Sequence, residues 1–135
     1  MKNRPILACI TAQHHCIGIV TAAKNMAQQL ETELVVVTAQ PLKTDAENRA
    51  KSVKCLKEIS DECDVDIVVR YSDNPAASIA AQAVETEPMH IFIGEDNGFL
   101  HKFRSLYGFA PISVVANRVV CTIPPELDVS LKTTG

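Results

Sequence analysis

Residues 65–94 read VDIVVRYSDNPAASIAAQAVETEPMHIFIG, and along them the hydrophobic pattern changes period twice. Val65-Asp66-Ile67-Val68-Val69 is a β-branched run too short for a helix and suited to a strand. Ser72-Asp73-Asn74-Pro75 then starts a helix. Asn74 or Asp73 can accept a backbone N–H as the cap, and Pro75 suits the first helical position, where its missing N–H costs nothing. Ala76, Ile79, Ala80, Ala83 and Val84 follow at helical spacing. Pro88 ends that helix, and His90-Ile91-Phe92-Ile93 is a second apolar run, stopped at Gly94. A helix of this length between two buried strands predicts parallel pairing with a right-handed crossover.

The same unit repeats on either side. Upstream, Ile6-Leu7-Ala8-Cys9-Ile10 is a continuous apolar run, as expected for a strand covered on both faces. Ile19, Ala22, Ala23, Met26 and Leu30 form a helical stripe, and Leu34–Val37 is the next strand. Asp45 opens a long helix with Ala46, Ala50, Val53, Leu56, Ile59 and Cys63 inward and Glu47, Arg49, Lys51, Lys54 and Lys57 outward. Downstream, Leu100, Phe103, Leu106 and Tyr107 predict a short helix with Gly108 as its C-cap, and Ile112–Ala116 is strand five. The expected fold is α/β: an open, doubly wound, parallel five-stranded sheet in a Rossmann-like α/β/α sandwich. That domain takes residues 1–117. Residues 118–135 form a C-terminal extension, with room for one extra edge strand at 119–123 before Pro124-Pro125 and a loose tail.

Composition narrows the function classes. Of 135 residues, 47% are apolar, enough for a core and too many for intrinsic disorder. Thirteen basic against sixteen acidic side chains give −3, which argues against a generally basic nucleic-acid surface. With no Trp, two Tyr and four Phe, stacking platforms for single-stranded nucleic acid are not expected either. No run approaches the ~20 apolar residues that span a bilayer. The stretch Ile6–Cys9 superficially resembles a lipoprotein signal, but its apolar run is too short. A cytoplasmic protein without membrane or nucleic-acid partners is expected.

The five cysteines, Cys9, Cys16, Cys55, Cys63 and Cys121, contain no CxxC, so no zinc ribbon or thioredoxin motif is written. Core packing in a reducing compartment is the expected role. Cys16, at a helix N-terminus, is a candidate redox thiol. His14-His15-Cys16 lack a second ligand pair for a metal, and no metal site is expected. Glu95-Asp96 could hold a cation but read as a polar loop. His101, Lys102 and Arg104 read as a solvated face, and His90 as structural.

In doubly wound sheets ligands bind beyond the carboxyl ends of the strands. The candidate segments are therefore Thr11–Cys16, Thr38–Thr44, Arg70–Asn74 and Gly94–Gly98. No GxGxxG, Walker A or GxSxG sequence occurs in them, so no catalytic residue is assigned.

Order and spacing nevertheless make residues 4–117 resemble the universal stress protein family, within the adenine nucleotide alpha hydrolase-like superfold. Ile6–Gln13 takes the place of that family's I-L-V-x-V-D-x-S strand. Thr21–Ala27 is similar to its A-x-x-x-A-x-x-L-A helix, and Val69–Ile79 followed by Ile91–Gly94 to its v-x-x-G-x-P-a-x-x-I … I-V-x-G pattern. The resemblance implies a homodimer pairing through its C-terminal strands, and an adenine-nucleotide cleft at Thr11, Ala12, Gln13, Val37, Gly94, Asn97 and Gly98.

Two departures modify that expectation. Thr11 stands where the family has an acid, and the phosphate loop G-x2-G-x9-G-S/T is shortened, with Phe99–Tyr107 serving as the last helix. A divergent, non-enzymatic binding or regulatory module follows, with ATP binding weak or absent; no cofactor is expected, ATP or AMP being the one candidate the resemblance offers. The alternatives are a nucleotide-binding or nucleotide-hydrolysing enzyme of the superfold, whose S-G-G-x-D-S loop is missing after strand one, and a thiol redox sensor using Cys16.

Overall fold

A computed structural model describes residues 4–95, 98–116 and 119–125. The elements follow in the order β1 (Ile6–Ile10), a 3-10 turn (His14–Cys16), α1 (Ile17–Gln29), β2 (Leu34–Gln40), α2 (Ala46–Cys63), β3 (Ile67–Tyr71), α3 (Pro75–Thr86), β4 (His90–Gly94), α4 (Phe99–Leu106), β5 (Ile112–Ala116) and β6 (Val119–Ile123). One six-stranded sheet has the order β3-β2-β1-β4-β5-β6. β1 to β5 are parallel, and β6 joins antiparallel with Ser113 opposite Thr122. The expected α/β sheet is thus present, with the extra C-terminal strand.

Alternation along β1 divides the core. Ile6, Ala8 and Ile10 pack with Val36, Phe92 and the inner faces of α1 and α2. Leu7 and Cys9 pack with Val37, Ile91, Ile93 and the inner faces of α3 and α4. Phe103 is fully buried in this second layer, between Phe99 and Tyr107. Burial pushes the Cys9 thiol far above its ordinary pKa, so it is a core hydrophobe.

Local chemistry corrects several boundaries. Strand three begins at Ile67 rather than Val65, because Asp64 closes α2 in the left-handed conformation (φ 53°) and Val65 N–H then bonds Ser60 O at 3.1 Å. The stripe of α2 is shorter than its sequence period: Ala46, Ala50 and Val53 are exposed, and burial starts at Cys55 and Leu56. The first half of the helix faces β3 across an open groove, so its stripe stays exposed. Val84 is exposed in α3, while Gln82 is buried and accepts from Arg70 Nη1 at 2.9 Å. Leu30 and Leu106 are likewise exposed. Tyr107, not Gly108, caps α4, in an extended conformation with φ −146°. Asp45 and Asn74 do cap α2 and α3, accepting from Asn48 N–H at 2.8 Å and Ala77 N–H at 3.2 Å. Among the described residues no helix is long and apolar enough to cross a membrane.

Candidate functional site

β1 and β4 are neighbours in the sheet, yet the chain leaves β1 toward α1 on one face and β4 toward α4 on the other. Departing connections cannot both cover the gap between the two strand tips, so a crevice opens there. It measures about 780 Å³ and lies between Thr11 and Gln13 on one side and Gly94, Glu95 and Gly98 on the other. That volume falls in the range of small-molecule sites.

The β1 tip is a tight turn. Gln13 N–H bonds Thr11 O at 2.9 Å, and Cys16 N–H bonds Gln13 O at 3.0 Å. The Thr11 hydroxyl lies 3.3 Å from Gln13 Oε1 and 3.4 Å from Cys16 Sγ, so a hydroxyl, an amide and a thiol share the crevice floor. On the β4 side, Gly94 lies close against α1: a Cβ there would stand 2.8 Å from Ile19 Cδ1, whose side-chain end would have to shift. Gly98 has φ +93°, a left-handed position that admits the chain to α4 without strain only as glycine. Nothing lies within 4 Å of where its Cβ would be, which leaves backbone open to the crevice.

Electrostatics there are mixed. The N-terminal ends of α3, at Asn74 and Pro75, and of α4, at Gly98 and Phe99, both border the crevice and offer partial positive charge. Lys102 adds a full cation, and Asp73 and Glu95 bring two carboxylates. Asp73 accepts from Leu42 N–H at 3.4 Å, which ties the β2 and β3 connections together beside the opening.

Of the seven residues expected at the site, Thr11, Gln13, Gly94 and Gly98 line the crevice. Ala12 is half-buried against the α1 and α2 layer. Val37 is wholly buried in the opposite layer, and Ala39, two residues further along β2, lines the crevice instead. Asn97 lies outside the described residues. Asp73, in the candidate segment Arg70–Asn74, lines it too, and Phe99 and Lys102 line it without having been assigned to it from sequence. Lys102, expected on a solvated face, reaches the crevice from the first turn of α4, which starts at Gly98 beside the opening. His15 and Cys16 border the crevice, while His14 turns the other way, to Glu58 and Cys55 of α2. Among the described residues no group of three or more His, Cys, Asp or Glu is placed to hold a metal ion.

No family model matches the chain, and no curated protein matches it. Solved structures do. A universal stress protein from Archaeoglobus fulgidus superposes with a TM-score of 0.66 at 16% identity, covering 84% of this chain and 94% of that one. The universal stress protein from Archaeoglobus fulgidus in complex with dAMP gives 0.66 at 17%, covering 86% and 100%. A universal stress protein in complex with cAMP gives 0.59 at 15%, covering 84% and 97%. At such identities the likeness concerns architecture. The chain has the universal stress protein fold.

Proposed function

We propose that the protein is a divergent universal-stress-protein-like binding module, non-enzymatic, whose crevice takes an adenine nucleoside monophosphate and discriminates against ATP. The observation that carries this reading is the charge around the opening: among the described residues, two carboxylates, Asp73 and Glu95, against one lysine, Lys102. A single phosphate can sit on Lys102 and the helix ends, while each further phosphate meets the carboxylates. Similar folds are described in complex with dAMP and cAMP, which supports a mononucleotide-sized ligand. In this reading the Thr11 hydroxyl and the Gln13 amide take hydrogen bonds that the family's acid would take, and Gly94 and Gly98 admit the ligand to the backbone.

Two copies pair through β6, whose outer edge and apolar Val119 and Val120 are exposed. Titration calorimetry tests the ligand. AMP is expected to bind saturably and about tenfold more tightly than ATP, a difference of about 1.4 kcal/mol. Lys102→Ala should weaken AMP roughly tenfold. Tighter binding of ATP than of AMP, or release of inorganic phosphate from ATP, would sink the reading.

A further inference from the structure

We propose that Cys55, His14 and Glu58 form a peroxide-reactive thiol site outside the crevice, and that oxidised Cys55 closes a disulfide with Cys16. Cys55, His14 and Glu58 stand outside the crevice, while Cys16 borders it. Its members come together because the 3-10 turn carries His14 out over α2 while α2 presents Cys55 and Glu58, one turn apart. His14 Nε2 bonds Glu58 Oε2, and His14 Nδ1 lies 3.9 Å from Cys55 Sγ. An ionised carboxylate only accepts, so Nε2 carries the ring proton and the Nδ1 lone pair faces the thiol. Acid, imidazole and nucleophile are thereby in the order that activates a nucleophile by proton removal.

Burial opposes ionisation of the thiol, so the neighbouring imidazole has to supply it. Cys55 is 8% exposed, whereas the His14 side chain above it is 65% exposed, so the imidazole is both the cover and the base. Burial, Glu58 and Cys16 all raise the Cys55 pKa, which keeps it a protonated thiol until a base takes the proton. A thiolate released from such a thiol is the stronger nucleophile. Cys63, also raised by burial, has Thr21, Lys24 and Glu62 as its neighbours and no imidazole.

The chemistry balances with hydrogen peroxide as oxidant. Cys55 Sγ passes its proton to His14 Nδ1 and attacks one peroxide oxygen. The O–O bond breaks, and the departing hydroxide takes the imidazolium proton as water, leaving Cys55 as a sulfenic acid. Cys16 Sγ then attacks Cys55 Sγ, the S–O bond breaks, and the Cys16 proton leaves with the hydroxide as a second water. Two thiols are oxidised by two electrons and one peroxide is reduced to two waters. Cys16 is suited to the second step: it is 1% exposed, belongs to the same core cluster as Cys55, and is held by its bond to Thr11.

The test uses the full chain without nucleotide, carrying Cys121→Ser to remove the exposed thiol. After treatment with hydrogen peroxide, mass spectrometry of the unreduced digest should show Cys16 linked to Cys55. In Cys16→Ser, Cys55 should instead be trapped by dimedone as the sulfenic acid. His14→Gln, a change at an exposed position, should slow loss of the Cys55 thiol roughly tenfold or more while the thermal melt stays unchanged. Oxidation of His14→Gln at the parent rate, an unmodified Cys55, or a Cys55 sulfenic acid that never links to Cys16 in the parent would each overturn the proposal.

Discussion

The sheet has two edges, and they are finished in opposite ways. β3 is parallel to its neighbour and is gripped by side chains from both layers. Arg70 reaches α3, donating to Ser78 Oγ and Gln82 Oε1 at 2.9 Å each, and Tyr71 lies under the Arg49 guanidinium of α2 at 4.8 Å. Ile67, Val69 and Tyr71 line a groove of about 240 Å³ with the first half of α2. β6 is antiparallel, and Val119 and Val120 are 60% and 50% exposed. Its side-chain ties among the described residues include the hydroxyl pair of Ser113 and Thr122 at 2.8 Å, and just beyond it Arg104 donates to Pro124 O at 3.0 Å. An edge held by its helices is a finished surface, whereas an edge held mainly by its ladder offers that ladder to another chain.

The contrast breaks first at β3. Arg70→Ala leaves the buried Gln82 amide without its donor and should cost about 2 kcal/mol in urea unfolding. A loss below about 0.5 kcal/mol would mean that β3 depends on its ladder as β6 does. Val120→Lys places like charges across a symmetric β6 pair and should weaken self-association about tenfold by sedimentation, with the monomer still folded. Thr122→Val removes one hydroxyl from the β6 tie and should cost about 1 kcal/mol, a shift of several degrees in Tm.

The smallest effect concerns acid. His90 Nε2 bonds Ser113 Oγ at 2.7 Å, and burial lowers the His90 pKa from its ordinary 6.5. The unfolded chain therefore binds this proton more readily, and stability from neutral His90 is lost as pH falls below about 6.5. The urea midpoint should drop between pH 7 and pH 5. His90→Gln should flatten that slope, and an unchanged slope would exonerate the histidine.

Short apolar runs and the Asp45 and Asn74 caps made the alternation of strands and helices legible, because each rests on residues close in sequence. What escaped depends on residues far apart. Gln82 replaces Val84 on the inner face because Arg70 lies across from it, twelve residues earlier. The apolar run of β2 ends at Val37, whereas the strand runs to Gln40, so the crevice is lined two residues later, at Ala39. His14 and Cys55 are separated by 41 residues, and no local pattern announces their meeting. The position of the crevice follows from the sheet rule; which side chains line it depends on where α4 starts and on the turn after β1.

One last property belongs to the hydroxyl chain that runs from His90 through Ser113 to Thr122. A strand exposed along most of its length has little burial pattern to specify its register, so a slide by one residue would cost it few apolar contacts. Such a slide would turn Thr122 to the far side of the sheet and leave the Ser113 hydroxyl facing Ile123, which cannot answer it, or Cys121, which answers only weakly. The alignment of β6 is thus encoded in a single polar letter rather than in a hydrophobic word, and a change at position 122 alters which strand pairing the chain can tell apart.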